Sequence, residues 1–472
     1  MKGRVLLIVH DVYQDDNEFP LGVAYLASVL RREDVDVSIY CQDVFHYPNY
    51  HLADLLQGSS FDLIGLGFLA ARYRKTVEPL CEVINKCKKD AWLVLGGHGP
   101  SPIPEYVLNK TGADVVVIGE SEDTIVDLVR CKVNREDLAD VKGIAYRQDH
   151  EVAINERRRP ITALDTIPFP AWELFPIETY TSCCLYPGQD RTERSLAMIS
   201  TRGCSNRCSF CYRMEKGIRL RSIENVVQEM KCLSSEYGVS YYSFQDELFV
   251  LNKKRLFEFE DALQKEKMTI KFSCDARVDM FDKEMAQCLK RIGCKKVNVG
   301  FESMNQKVLD RMCKRTTMEE NLRFAEMAKE AGLNMGLNVI WGNPYDTEES
   351  LRGIVEFLKT YNTYGEVRTI RPVTPYPGSP LYCDAIRKGL LEGPDDFFDK
   401  FKNSDLLTAN FTDIPEDRFY QLLFEANKEL AIDHFKHTTG DMTEAKKIID
   451  SFHDLYFLEQ YEFSGARHYE KK

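Results

Sequence analysis

Three cysteines lie close together in the middle of the chain, at Cys204, Cys208 and Cys211. They stand in the run Ser-Thr-Arg-Gly-Cys-Ser-Asn-Arg-Cys-Ser-Phe-Cys-Tyr, and no fourth cysteine balances them. Three thiolates at this spacing suit a four-iron four-sulfur cluster in which one iron keeps an open coordination position. We therefore expect chemistry to begin at that iron, where a substrate or cofactor can bind.

A structural zinc site is the alternative use of the same thiols. Zinc usually takes four protein ligands built from paired Cys-x-x-Cys or Cys/His units. No such pair follows, because the later cysteines are single and scattered, at spacings typical of small buried apolar residues: Cys232, Cys274, Cys288, Cys294 and Cys313. The pattern favours the cluster and leaves zinc or a redox pair as alternatives.

The spacing Cys-x-x-x-Cys-x-Phe-Cys resembles the signature of radical S-adenosylmethionine (SAM) enzymes. In that family the open iron is chelated by the amino and carboxylate groups of SAM. The resemblance implies that the reduced [4Fe-4S] cluster cleaves SAM to a 5′-deoxyadenosyl radical, with electrons from an external donor of the flavodoxin or ferredoxin type.

A second set of motifs precedes the cysteines: Phe19-Pro20-Leu21-Gly22, then Gly96-Gly97-His98, then Gly119-Glu120-Ser121-Glu122. Their order resembles the cobalamin-binding domain found ahead of the radical SAM core in one large branch of that superfamily. The resemblance implies cobalamin as a further cofactor and these contacts to it: Gly67, Gly96, Gly97, His98, Gly119 and Glu120. The Asp-x-His-x-x-Gly motif is absent and Gly67 replaces a frequent serine, so a domain that has lost the cofactor is the alternative.

The first part of the chain alternates short apolar runs with helical patterns, which is typical of a parallel sheet covered on both faces. Helices are predicted near 21–32, 72–88 and 102–109. The predicted strands are Val5–Val9, Val37–Tyr40, Leu63–Leu66, Trp92–Leu95 and Val115–Ile118. This pattern predicts an α/β fold that begins with a doubly wound, Rossmann-like domain.

Strand and helix patterns alternate again after residue 195, which predicts a partial (β/α)6 barrel with its reactive groups at the carboxyl ends of the strands. The predicted strands are Leu196–Thr201, Tyr241–Gln245, Ile270–Cys274, Lys296–Gly300, Met335–Ile340 and Val367–Ile370. The predicted domains are a cobalamin-binding-like domain at 1–135, a linker with a small hairpin at 136–190, the barrel at 191–382 and a helical domain at 383–472.

Polar residues at the barrel strand ends are candidates for holding SAM. Family resemblance and position favour Asp246 and Glu247 for its ammonium group, and the guanidinium of Arg277 suits its carboxylate. Glu302 and Asn338 occupy positions where relatives often contact the ribose, and Phe210 is expected near the adenine. For each single residue, a helix cap or a surface ion pair is the competing interpretation.

Composition limits the class of protein. The 472 residues carry a net charge of -12, which argues against a nucleic-acid partner. Fifteen cysteines without disulfide-like regularity indicate a reducing, cytoplasmic location. The first residues contain too few apolar side chains for a signal peptide or a membrane span.

The resemblance favours a cobalamin-dependent enzyme that methylates an unactivated centre of a small-molecule or peptide substrate. The alternatives are a radical oxidative cyclisation or rearrangement, as in the anaerobic cyclase of chlorophyll synthesis, a methylthiotransferase, and a non-catalytic iron-sulfur or cobalamin sensor. The sequence does not distinguish a porphyrin, peptide, lipid or antibiotic precursor as substrate.

Overall fold

The computed structural model describes residues 3–12, 18–70, 72–148, 151–183 and 186–458. These residues form two compact units. The first contains the described residues up to 183 together with 212–221 and 393–399. The second contains 186–211, 222–392 and 400–458.

The first unit is built on a seven-stranded sheet of order β2-β1-β3-β4-β5-β6-β7. Its strands are β1 (Arg4–Val9), β2 (Asp36–Cys41), β3 (Leu63–Gly67), β4 (Trp92–Gly96), β5 (Val115–Val117), β6 (Ile144–Gln148) and β7 (Glu151–Ile154). The first five run parallel, whereas β6 and β7 form an antiparallel hairpin on β5. The predicted doubly wound order is confirmed, since the chain crosses from β2 over β1 to β3.

Helices follow most strands of this unit. They are α1 (Leu21–Arg32), α2 (Gln42–Phe45), α3 (Asn49–Gly58), α4 (Glu78–Cys87), which continues a π-helical turn at Tyr73–Val77, α5 (Pro104–Thr111), α6 (Glu122–Asn134) and α7 (Ile177–Cys183). The strands β1, β3, β4 and β5 are largely buried, which explains why they appear as continuous apolar runs, whereas the edge strand β2 is half-buried along much of its length.

The second unit contains a six-stranded parallel sheet of order β15-β14-β13-β12-β11-β8. Its strands are β8 (Arg194–Met198), β11 (Val239–Phe244), β12 (Lys271–Ala276), β13 (Cys294–Glu302), β14 (Met335–Trp341) and β15 (Arg371–Pro372). Two further short strands are β9 (Thr201–Arg202) and β10 (Arg219–Leu220), the latter in the first unit. The open order of six parallel strands is that of the predicted partial barrel.

Helices connect the successive strands of this sheet, as in repeated β/α units. They are α8 (Ile223–Tyr237), α9 (Lys253–Lys265), α10 (Lys283–Arg291), α11 (Gln306–Arg311), α12 (Met318–Ala331), α13 (Glu348–Thr360), α14 (Pro380–Arg387), α15 (Pro394–Lys400), α16 (Glu416–His437) and α17 (Met442–Phe457). The helical C-terminal region is confirmed by α16 and α17. It packs on the sheet where the Phe419 ring stacks on Trp341 at 4.2 Å.

Ten of the eleven predicted strands and the hairpin are confirmed, with ends shifted by a few residues. The prediction of a strand at Val367–Ile370 is wrong, because the last strand lies at Arg371–Pro372. Residues before it are held by side chains instead: Asn427 accepts from the Ile370 backbone N–H at 2.8 Å and donates to its carbonyl at 3.1 Å. Four helices of the first unit were not predicted from the sequence: α2, α3, α6 and α7.

In the part of the chain that the structure describes, no helix has the length and apolar character needed to cross a membrane.

Candidate active site

The cysteine loop follows β8 and β9 at the carboxyl end of the six-stranded sheet. Ser209, between two of the cysteines, donates its backbone N–H to the Met312 carbonyl at 2.8 Å. Its own carbonyl accepts from the Leu381 N–H, also at 2.8 Å. At the start of the loop, the Gly203 N–H donates to Glu247 Oε2 at 2.8 Å. Segments far apart in sequence therefore fix the conformation of this loop.

The three thiols differ in exposure, with Cys204 half-buried, Cys208 buried and Cys211 exposed. A hydrogen bond from Cys211, and then the positive charges of Lys314 and Arg277, lower the pKa of the Cys208 thiol. The same hydrogen bond raises the pKa of Cys211. A lowered pKa favours the thiolate, which is the form that ligates metals.

The chemistry of the donor set fits a multinuclear cluster. Cys204, Cys208 and Cys211 supply three thiols from one loop whose backbone is clamped at Gly203 and Ser209. Three thiolates can each bind one iron of a four-iron cluster and leave the fourth iron open.

Asp246 follows β11 and is almost fully buried, with 1% of its surface exposed. Its Oδ1 accepts the Ser200 N–H at 2.7 Å and also the Thr201 N–H, and its Oδ2 accepts from Ser200 Oγ at 3.2 Å. Burial raises the pKa of this carboxyl to about 6. The side chain thus holds the backbone that leads into the cysteine loop.

Glu247 and Phe210 lie at the loop itself. Glu247 is exposed and binds the backbone of Gly203, as described above. Phe210 is half-buried between Cys208 and Cys211. The structure therefore brings both residues to the cysteines, while their predicted contacts to SAM stay predictions.

Polar side chains line one face of the sheet. Tyr242 marks the opposite face, because its hydroxyl donates to the Met230 carbonyl on α8. Because side chains along a strand point alternately to the two faces, Ser243 and the residues beside it on the neighbouring strands point away from the helices. These residues are joined by hydrogen bonds from Ser273 Oγ to Ser243 Oγ at 3.4 Å and from Asn298 Nδ2 to Asp275 Oδ1 at 2.9 Å.

Asn338 lies on the same helix-free face. It is exposed and stands opposite Gly300 in the register of β13 and β14, next to the pair formed by Asn298 and Gly336. Asn338 was predicted from the sequence as a site residue, whereas Asp275 and Asn298 were not. Polar and apolar residues alternate along β12 and β13, and this alternation could have identified them. A polar residue that faces the interior of a sheet is costly unless it forms a hydrogen bond or binds a ligand.

Arg277 and Glu302 meet at a residue that the sequence analysis did not select, Lys314. Lys314 Nζ lies 2.6 Å from Glu302 Oε1, and both side chains are at most 10% exposed. Arg277 donates from Nη2 to the Lys314 carbonyl at 2.9 Å and binds Asp279 through Nε and Nη2. The charges of Lys314, Glu302 and Arg277 all act on the pKa of Cys208.

The first unit carries glycines at the carboxyl ends of three neighbouring strands. Gly67 and Gly96 are opposite each other in the register of β3 and β4, and Gly97 and Gly119 have φ of 95° and 94°. Ligands of doubly wound sheets bind beyond this edge, where glycines allow close approach of the backbone. The edge therefore fits a large planar cofactor such as cobalamin.

Two other predicted cobalamin contacts have partners within the first unit. His98 is exposed and its ring meets Tyr212 edge-to-face at 6.2 Å. Glu120 forms a bidentate pair with Arg219, with both oxygens 2.7 Å from guanidinium nitrogens. His98 stands at the edge with the glycines, whereas the Glu120 carboxylate is already neutralised.

Family models match both units. Residues 10–129 match the B12 binding domain, and residues 198–358 match the Radical SAM superfamily. The chain is 31% identical over 379 residues to an uncharacterized methyltransferase from Pyrococcus horikoshii, which covers 79% of each chain. It is 26% identical over 373 residues to the anaerobic magnesium-protoporphyrin IX monomethyl ester cyclase of Rubrivivax gelatinosus, covering 77% of this chain and 65% of the cyclase.

Among solved structures, the cobalamin-dependent SAM radical enzyme OxsB, with aqua-cobalamin and SAM bound, is similar in fold. Its TM-score is 0.66 at 20% identity, and the match covers 87% of this chain. The chain spans 57% of the length of that structure. This likeness supports the arrangement of a doubly wound domain, a partial barrel and a helical region.

Proposed function

Because the chain belongs to the radical SAM superfamily and carries a B12-binding domain, we propose that it is a cobalamin-dependent methyltransferase. It would act on an unactivated centre of a small-molecule or peptide substrate. The observation that carries this proposal is the 31% identity, over 79% of both chains, to a protein named as a methyltransferase. The cofactors of this family are a [4Fe-4S] cluster, SAM and cobalamin.

When bound, these groups supply a 5′-deoxyadenosyl radical for hydrogen abstraction and a methyl group for transfer. Cys204, Cys208 and Cys211 would hold the cluster. The backbone bonds of Ser209 to Met312 and Leu381 keep their loop in place at the sheet end. The protein's part is to orient the reacting groups and to exclude water from them.

SAM would lie against the helix-free face of the six-stranded sheet. Phe210, which lies beside the cysteines, would contact the adenine, and Asn338, which is exposed on that face, would contact the ribose. Glu247 stands at the same strand end. The glycine edge with Gly67, Gly96, Gly97 and Gly119 would receive the cobalamin.

Product analysis of the anaerobically reconstituted protein tests this proposal. Incubation with SAM, cobalamin and a strong reductant should yield 5′-deoxyadenosine, and S-adenosylhomocysteine in an amount equal to the bound cobalamin. The second product reports methylation of the reduced cobalt by SAM, which does not require the unknown substrate. Both products are quantified by liquid chromatography and mass spectrometry.

The variants Cys204→Ala, Cys208→Ala and Cys211→Ala should each abolish 5′-deoxyadenosine and the electron paramagnetic resonance signal of the reduced cluster. Cys232→Ala is the matched control, because this cysteine is half-buried on α8 and should leave both unchanged. Formation of 5′-deoxyadenosine without S-adenosylhomocysteine, in protein that holds cobalamin, would contradict methyl transfer.

The second candidate function is a radical oxidative cyclisation, favoured by the 26% identity to the cyclase of Rubrivivax gelatinosus. It would use the same cluster and SAM site and would form no S-adenosylhomocysteine. A sensor without turnover would form neither product. The same assay therefore separates the three functions. An electron donor of the flavodoxin or ferredoxin type would replace the chemical reductant in the cell.

A further inference from the structure

The two segments that hold the cysteine loop carry an excess of positive charge. Residues 307–315 and 380–388 together contain six lysines and arginines and two aspartates, whereas the whole chain has a net charge of -12. One of these cations, Lys314, is buried against Glu302. The others are partly or fully exposed: Lys307, Arg311, Arg315, Arg387 and Lys388. A local excess of cations on an acidic protein attracts partners of negative charge.

Both segments are bonded to the same residue of the cysteine loop. Ser209 donates its backbone N–H to the Met312 carbonyl and accepts the Leu381 N–H at its own carbonyl, each at 2.8 Å. Ser209 directly follows Cys208, and Cys313, which directly follows Met312, is exposed. The surface at Cys313 is therefore connected to Cys208 by one backbone hydrogen bond and a few covalent bonds.

Asp384 joins the two segments and orients their arginines. Its carboxylate, on α14, binds Arg311 of α11 and also Arg387 of its own helix, the latter at 2.7 Å. Only 10% of the Asp384 side chain is exposed, against 36% for Arg311 and 73% for Arg387. The two guanidinium groups therefore reach the solvent, whereas the carboxylate that binds them is shielded. Lys307 lies one turn before Arg311, on the same face of α11.

Several cations beside the loop are not neutralised. In the part of the chain that the structure describes, no carboxylate lies within ion-pair distance of Arg207, Lys307 or Arg315, and all three are exposed. Asp310 supplies one exposed negative charge nearby and accepts from a glutamine of the same helix. An acidic partner would thus break no ion pair at these three residues. We name the whole set the cationic surface: Arg207, Lys307, Arg311, Arg315, Arg387 and Lys388.

We propose that the cationic surface, with Cys313 among its residues, is the docking site of a small acidic protein that delivers single electrons to the cluster. One electron passes from the reduced carrier to the oxidised cluster, so the carrier is oxidised and the cluster reduced by the same amount. No bond forms or breaks, and no proton moves. The inference rests on the cluster of the proposed function and gives its electron donor a place on this chain.

Charge and position together favour this occupant. Complementary charges raise the rate of association more than the strength of the complex, which suits a carrier that must dock, transfer and leave. Transient electron-transfer complexes also use small interfaces. In the two segments, Ile386 is the exposed large apolar residue, so the surface offers little apolar area for a permanent partner. The bond from Met312 to Ser209 places this surface next to a cluster ligand.

Stopped-flow reduction of the cluster under anaerobic conditions tests the surface. Flavodoxin hydroquinone serves as the acidic carrier, and photoreduced 5-deazariboflavin as a small uncharged reductant. The triple variant Arg315→Glu, Arg387→Glu and Lys388→Glu should lower the second-order rate constant with flavodoxin by at least about tenfold at low ionic strength, because charge steering contributes factors of about 10–10³. Its rate with 5-deazariboflavin should equal that of the wild type.

A single substitution has a matched control. Arg315→Glu alone should slow reduction by flavodoxin by at least about threefold, since it reverses one charge of the attracting field. Lys265→Glu makes the same kind of change in the last turn of α9, which connects two parallel strands and so ends at the opposite edge of the sheet. It should change the flavodoxin rate by less than about twofold, because charges beyond about 10 Å are screened by salt.

Ionic strength gives a second readout. Raising sodium chloride from about 50 mM to about 500 mM should slow the wild type toward the rate of the triple variant, and the variant itself should respond little. Equal flavodoxin rates in the wild type and the triple variant, at equal iron content and low ionic strength, would overturn the docking site and favour an acidic substrate as its occupant.

Slower reduction of the triple variant by both reductants would also overturn the inference, because the substitutions would then act on the cluster itself. A wild-type protein that flavodoxin reduces but that forms no S-adenosylhomocysteine would instead overturn the proposed methyl transfer and leave the docking site in place.

Discussion

The two carboxylates that follow β11, those of Asp246 and Glu247, differ in their hydrogen-bond partners. Asp246 binds two backbone N–H groups and the Ser200 hydroxyl with its two oxygens. Glu247, its neighbour, is exposed and holds one backbone N–H at 2.8 Å. Adjacent residues in one acidic turn thus face in opposite directions, because successive side chains of an extended segment alternate.

Asp246→Ala should destabilise the protein by about 2–4 kcal/mol, because it leaves buried N–H groups of Ser200 and Thr201 without an acceptor. Chemical denaturation of the cluster-free protein measures this, with Glu247→Gln as a control that should change stability by less than about 0.5 kcal/mol. A stable Asp246→Ala protein with weak SAM binding would instead identify Asp246 as a SAM ligand.

The same carboxyl predicts a pH dependence. Burial raises the pKa of Asp246 to about 6, above the value near 4 of an unfolded aspartate. The folded state then holds the proton more tightly, so this group's contribution to stability should fall as pH rises from about 4 to about 6. From about pH 4 to about pH 6 the melting temperature should therefore fall less, or rise more, in Asp246→Ala than in the wild type, and identical profiles would contradict the raised pKa.

At the scale of elements, the loop between β14 and α13 combines a rigid turn with a strained residue. Asp346 Oδ2 accepts the N–H groups of Gly342 and Asn343 at 3.0 and 2.9 Å, and Thr347 caps α13 through a capping box. This turn holds Tyr345 at φ 75° with 65% of its surface exposed. A non-glycine residue in this conformation raises the free energy of the folded state, and the exposed ring gains little burial to offset this.

Tyr345→Gly should therefore raise stability by up to about 1 kcal/mol, since glycine adopts positive φ without strain. Thermal unfolding measures the change. Tyr345→Ala is the matched control, because it removes the ring and keeps the strained conformation, and it should give no gain. An equal gain in both variants would show that the exposed ring, and not the backbone, is unfavourable.

At the scale of the whole molecule, the chain returns to the first unit after the barrel. Residues 393–399 belong to that unit. Asp395 binds Arg74 and Lys110 at 2.6 Å each and accepts from the Tyr106 hydroxyl at 2.9 Å. Phe398 packs on Tyr73 with ring centroids 4.2 Å apart. Asp395 and Phe398 thus both attach this segment to the rest of the first unit.

Asp395→Ala should release the segment, seen as faster deuterium uptake at residues 393–399, whereas Asp399→Ala, with one exposed contact to Arg74, should change little. The hydrogen bonds of Lys110 and Arg74 lower the pKa of Asp395 to about 2. Its contribution is therefore present above about pH 4 and lost as pH falls toward about 2. Equal deuterium uptake in the two variants would show that the Asp395 carboxylate is not needed to hold the segment and that Phe398 attaches it.

Several elements were predictable because their signal is local. The inner parallel strands of the doubly wound sheet are buried on both faces, so that they appear as continuous apolar runs between helices. Predicting α3 and α6 would have required recognising weaker amphipathic patterns. The strand predicted at Val367–Ile370 was displaced to Arg371–Pro372 because Asn427, on α16, takes the backbone bonds of Ile370.

The sequence by itself was enough to identify the superfamily and its cofactors, because the spacing of Cys204, Cys208 and Cys211 and the glycine motifs ahead of them are local patterns. Only the tertiary structure decided which charges meet beside the cysteines. Lys314 follows a short helix in a loop and carries no motif, and it reaches Glu302 through a bulge and a glycine on another strand. Such a meeting depends on strand register and backbone conformation, which are properties of the packed sheet and not of any local run of residues.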